Sequence, residues 1–314
     1  MPSNFENNFK NDLLNKQLAY AQQLRKRNPP KKGIEASKSV GINYNVQLQK
    51  LIKQVKLDIQ NNILSLVKQL EPLYMISSDT IKTLDDDTVT NQINTAFQKL
   101  KDKYNSDYFI NFYSNIATDF ITKINNVNQN KFNKQMKSFG LDIYGSSESL
   151  TNYLNSSIAD NVQLITSIPS QYLDRVQSIV RTNMRSGLRS SAMVSQLQSQ
   201  FNITKNRALF IARDQTAKTN GQITQQRQVG SGFTYFRWLD SGDSNVRTRH
   251  EQIADKVTAY GKGIYRWDNP PLSNKGSPII PGQDFNCRCV AVPITDEEVE
   301  QNKKDGKINK GVLK

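Results

Sequence analysis

Cysteine and histidine are almost absent from this sequence: 314 residues include two cysteines and one histidine. Two cysteines cannot build a disulfide framework, which points to a reducing compartment. No stretch approaches the roughly 20 apolar residues that a membrane span needs, so stable membrane insertion is not expected. The opening "MPSNFENNFKN" has neither the basic start nor the apolar run of a leader, and the chain is expected to begin as a soluble cytosolic protein. Apolar residues are also sparse, at 36% with a mean hydropathy of −0.64. Thin cores with wide polar faces suit a protein that lives in an assembly better than a compact enzyme. No serine nucleophile, glycine-rich phosphate loop or carboxylate pair stands at catalytic spacing near the histidine, so no catalytic residues and no enzymatic activity are expected.

Acid is scarce in one stretch. Between Arg175 and Arg237 the only acidic residue is Asp214, against ten arginines and lysines. The whole chain carries +14 with a pI near 9.6, which favours a polyanionic partner, nucleic acid first. Arg181, Arg185 and Arg189 stand four apart and would line one helical face; with Lys205, Arg207 and Arg213 they are the candidate DNA contacts. No base-reading motif accompanies them, so binding to double-stranded DNA would be independent of sequence. The alternative is a solvated face, or pairing with acids elsewhere in the chain.

Periodicity predicts a mainly helical N-terminal half, a bundle or long hairpin. Leu48, Ile52, Val55, Ile59, Ile63, Leu66 and Leu70 recur at steps of three and four, as do Val89 to Tyr104 and Phe109 to Ile124, each set forming one apolar helix face. Pro72 is expected to end the first helix, Pro169 to start another, and residues 186–228 to form two or three short helices, one capped near Ile203-Thr204. From Phe233 the texture turns to strand and turn, "FTYFRWLD" and "CVAVPI", with a short helix around "VRTRHEQIAD". The fold class expected is therefore α+β, with a smaller α+β C-terminal domain after the helical half. The expected divisions are a basic flexible arm over 1–40 that includes "LRKRNPPKK", a helical domain over 41–170, the α+β domain over 171–295 and a charged, loose tail over 296–314.

Both cysteines fall in "DFNCRC". Cys287 and Cys289, at i and i+2, lie on the same side of an extended segment. With His250 and one carboxylate they form a ligand set that suits zinc; the alternatives are two buried reduced thiols or a disulfide between near neighbours. Upstream, Asp243, Arg247 and His250 at spacings of four and three would gather on one face of a helical turn, as a polar network or a general acid/base cluster.

Three runs in order, "RALFIARDQTAKTNGQITQQRQ", "YFRWLDSGDSNVRTRH" and "PIIPGQDFNCRC", resemble the Mu F-like family of phage head morphogenesis and minor capsid proteins, over about residues 185–293. Trp238, Asp243, Arg247, His250, Pro281, Asn286, Cys287 and Cys289 occupy the motif's places. Two positions depart from the family pattern: Asp214-Gln215 replaces Thr-Glu after "IAR", and Asp255 replaces a glycine. The resemblance implies a minor head protein of a tailed phage, acting in capsid or procapsid assembly near the portal, present in the virion after assembly in the host cytoplasm, and able to accompany the genome at ejection. Portal, capsid and scaffold proteins are the partners it implies. It also implies that the two cysteines return the last strand to the His250 turn. The rival readings are a phage nuclease or other phosphotransfer enzyme using His250 and Asp243, and a nucleic-acid-binding protein outside the virion.

Overall fold

The computed structural model describes residues 4–23, 30–75, 86–141 and 148–309. Most of "LRKRNPPKK" lies outside them. Helices come first in the chain: α1 (Asn4–Gln23), α2 (Lys38–Asp58), a π-helical turn (Ile59–Leu64), α3 (Ser65–Met75), α4 (Asp86–Tyr104), α5 (Asp107–Ser138), α6 (Glu148–Arg185) and α7 (Ser190–Gly230). Strand β1 (Tyr235–Leu239) follows, then α8 (Thr248–Asp255), β2 (Val257–Thr258), β3 (Gly261–Lys262), β4 (Ile264–Arg266), β5 (Val290–Ile294) and α9 (Asp296–Lys304). The α+β class expected from the sequence is the one observed.

The chain forms two compact units that are not consecutive stretches: residues 1–40, 121–157 and 213–314 make one, and 41–120 with 158–212 make the other. This differs from the expected division at residue 170. The reason is that the long helices do not break where turn residues suggested. Helix α6 runs through Pro169. An interior proline costs about 3 kcal/mol, but Ile165, Ile168 and Leu173 are all buried within about a turn of it and contribute about 1.5–3 kcal/mol each, so burial wins. Helix α7 continues for 41 residues where two or three short helices were expected; the Thr204 hydroxyl donates back to the Gln200 carbonyl at 2.9 Å instead of capping a new helix. Pro72 likewise falls inside α3, where only the last turn is affected.

In the unit containing α2 and α4, the apolar faces read from the sequence are the buried ones: Leu48, Ile52, Val55 and Ile63 with Ile93 and Phe97. Tyr44 stacks on Phe120 at 3.9 Å between ring centroids and donates to Asn161 Oδ1 at 3.0 Å. Asp58 accepts from the Tyr104 hydroxyl and from Lys103 Nζ, both at 2.6 Å.

The other unit holds the sheet. Described parts of the expected arm are packed in it: Leu14 and Leu18, one helical turn apart on α1, lie with Ile34, Phe132, Met136, Phe139 and Phe233. Its centre is polar. Arg227, buried, donates to Asn125 Oδ1, Asn128 Oδ1 and Gln129 Oε1 at 2.7 Å each, while Asn128 Nδ2 donates to Asn220 and Thr224 and Asn220 Nδ2 to the Ile34 carbonyl. All of the arginine's acceptors here are neutral, and burial lowers its pKa to about 10, so it stays charged at neutral pH. This member of the basic stretch is therefore a core residue.

The sheet has order β4-β1-β5, with β1 antiparallel to both neighbours. Alternation along β1 turns Phe236 and Trp238 inward, onto a core with Ile253, Trp267, Ile279, Ile280, Cys287, Cys289 and Ala291. Within the expected loose tail, Asp296–Lys304 form the short helix α9. The Thr295 hydroxyl caps it by accepting from Glu298 N, acids fill its first turn and lysines its last, and Val299 is buried against Ile264 and Ile294.

Candidate functional site

Three segments of the sheet-bearing unit converge on His250. The histidine stands in the first turn of α8, whose N-cap is Arg247. The ring of Trp238, on central strand β1, meets it edge-on at 5.4 Å. The third segment runs from Pro281 to Cys289 and is held by two close approaches. Gly221 of α7 leaves room for the Pro281 carbonyl, which a Cβ there would meet at 2.3 Å, and Gly282 (φ +87°) passes the Ala217 carbonyl, which a Cβ would meet at 2.9 Å. Asn286 then takes the left-handed conformation, φ 50°, uncommon for a residue with a side chain. Asp214 holds it there by accepting from the Asn286 backbone N–H at 3.0 Å; its other oxygen pairs with Lys218 at 2.7 Å.

From Asn286 onward the chain alternates. Cys287 and Cys289 are buried while Arg288 points outward to bind Asp243 through two nitrogens at 2.5 and 2.6 Å. The two sulfurs lie 3.6 and 3.5 Å from the same atom, His250 Nδ1. The other ring nitrogen, Nε2, is 3.4 Å from Asp284 Oδ2. Both thiols are free, which excludes the disulfide alternative for this state. A zinc site and packed thiols are the two sequence alternatives that remain.

The groups polarise one another. The His250 pKa is raised, first by its hydrogen bond to Cys287 and against the effect of burial. The Cys287 thiol is lowered to about 5, first by the hydrogen bond from Cys289 and then by His250. Cys289 is raised, because it supplies that hydrogen bond and because it is buried. These hydrogen bonds favour ionisation of Cys287 over Cys289.

Asp243, Arg247 and His250 do not share a helical face, contrary to expectation. The helix begins only at Thr248, Arg247 is extended, and Asp243 caps a turn by accepting from Asn245 N. The Asp243 carboxyl is lowered first by Arg288, and Arg247 donates to the Phe285 carbonyl at 2.7 Å. The expected arginine stripe is also broken. Arg181 and Arg185 are exposed on α6, but the helix ends at Arg185 and Gly187 turns the chain at φ +62°, so Arg189 lies beyond it. Arg181 donates to Asn94 and Arg207 to Ser167 at 2.8 Å. Lys205 lies 5.7 Å from the Phe201 ring, and Arg213, exposed, belongs to the other unit. Two site residues were missed. Asp284 had a signal, a carboxylate three residues before the first cysteine; Asp214 had one too, as the only acid in the basic stretch.

Residues 174–292 match the family model of the phage Mu protein F like proteins. This segment is similar to the Mu protein F-like family. The match contains Asp214, Trp238, His250, Cys287 and Cys289, so the whole site lies inside the Mu F-like segment. An uncharacterized protein of Haemophilus influenzae is 29% identical over 297 residues, covering 93% of this chain and 60% of that protein. The chain thus spans about 60% of the length of this curated relative. No solved structure matches the chain. Among the described residues, no helix is long and apolar enough to cross a membrane.

Proposed function

We propose that the chain is a minor component of a tailed-phage head, acting in capsid or procapsid assembly beside the portal, carried in the virion and passing through the host cytoplasm. The Mu F-like match over 174–292 carries this reading, and the site supports a structural role for that segment. Cys287 and Cys289 are 2% and 6% exposed, so neither sulfur is placed to attack a substrate. The nuclease reading is disfavoured because Asp243 is engaged by Arg288 and His250 is engaged by two sulfurs and Asp284. Mass spectrometry of purified virions, full and emptied of DNA, tests the proposal. The protein should be present at low copy in full particles. Abundance in infected cells with absence from particles would favour the non-virion reading.

Double-stranded DNA is the proposed polyanion, supported by the net charge of +14 and by the exposure of Arg181, Arg185 and Arg189. Each phosphate that is no longer neutralised should reduce the slope of log K against log salt by about 0.9. Changing these three arginines to glutamine is therefore expected to flatten the slope by about 2 to 3 in salt-titrated filter binding. An unchanged slope would move the interface to other residues.

A further inference from the structure

We infer that His250 Nδ1, Cys287 Sγ and Cys289 Sγ hold one zinc ion, that water completes its coordination, and that Asp284 orients the histidine from the far side of the ring. The geometry carries this. One imidazole N–H can be aimed well at only one acceptor, yet Nδ1 stands nearly equidistant from both sulfurs, at 3.6 and 3.5 Å. That is the edge of a coordination tetrahedron: with zinc–sulfur bonds of about 2.3 Å and a zinc–nitrogen bond of about 2.0 Å, the nitrogen-to-sulfur edge is about 3.5 Å. All three ligand atoms lie within 4.8 Å of one another and all three residues are buried.

The surroundings fit a metal as well. Ligating histidines characteristically give their second nitrogen to a carboxylate, which fixes the ring and raises its basicity; Asp284 Oδ2 stands 3.4 Å from Nε2. The ring of Trp238 packs edge-on against that of His250, and its Nε1 is buried with no hydrogen-bond partner. Two thiolates and one divalent cation sum to zero charge, which suits an apolar core. Soft sulfur ligands with imidazole select zinc over magnesium or calcium. A nucleophilic cysteine–histidine pair would need one exposed sulfur, whereas here two buried sulfurs share one nitrogen.

The full chain, produced without a histidine tag and supplied with zinc, should contain about one zinc ion per molecule by elemental analysis. Chelation should lower its thermal midpoint and added zinc should restore it. Cys287→Ser and Cys289→Ser should each retain under about a tenth of the zinc. Because unfolding of those variants would also release the metal, cobalt loading of the unaltered chain gives a second readout: a sulfur-to-cobalt charge-transfer band reports thiolate ligation directly. Asp284→Asn should still bind zinc, about 10- to 100-fold more weakly. A chain that takes up neither metal, cobalt uptake without the charge-transfer band, or full zinc retention in both serine variants would each overturn the inference.

Discussion

Trp238→Ala is expected to destabilise the sheet-bearing unit by about 3–5 kcal/mol, the usual cost of emptying a large aromatic site in a core. The side chain is fully buried on the central strand, faces Ala291 across the β1–β5 pair and supports the His250 ring, so the cavity opens between the sheet and the two cysteines. The readout is convenient because the chain has two tryptophans and both lie in this core. In the variant Trp267, stacked on Phe236 at 4.0 Å, becomes the sole indole reporter of the unit's denaturant unfolding. Trp238→Phe should recover more than half of the stability, since the ring packing survives and Nε1 has no partner to lose. An alanine variant within about 1 kcal/mol of the parent would mean that the site can collapse onto itself.

Gly221→Leu is expected to cost about 3 kcal/mol or more, at or above the upper end of ordinary overpacking. Inside a helix the replacement of glycine normally gains about 1 kcal/mol from propensity. Here the first added carbon would stand 2.3 Å from the Pro281 carbonyl oxygen, and a backbone atom cannot swing aside as a side chain can. Sterics therefore outweigh propensity, and the sign reverses. The Pro281–Cys289 segment must lift from α7, so the variant should also expose Cys287 and Cys289 to thiol reagents. Gly221→Ala should show the same effects at smaller size. Stability equal to or above the parent, with the cysteines still protected, would show that the loop has slack.

These two positions differ in how legible they are in the sequence. Trp238, His250 and the cysteines stand out because rare residue types in a spaced pattern are informative without any knowledge of the fold, and β1 and β5 follow from aromatic and β-branched runs. The apolar faces of α2 and α4 are legible from period alone. Gly221 is not, because its requirement comes from a carbonyl sixty residues away in sequence. The same holds for Asp243. Its spacing to Arg247 and His250 suggests a helical cluster, but the helix starts too late and Arg288, distant in sequence, takes the carboxylate. The extent of α7 is hidden for a related reason: its turn-like residues, Thr204 among them, are accommodated by bonds back to the helix itself. Arg227 reads as part of a phosphate-binding stretch, and only the fold brings the amide oxygens of α5 around it.

The central claim is that the two sulfurs and His250 form a closed, buried centre that ties the last strand to α8. Thiol labelling of the native full chain with an aromatic disulfide reagent, followed alongside unfolding of the same sample, tests it most directly. Both cysteines should stay unlabelled until denaturant reaches the transition reported by Trp238 and Trp267, and then react together. Rapid labelling of Cys287 in the native protein, well below that transition, would contradict the claim and mark the residue as an accessible nucleophile.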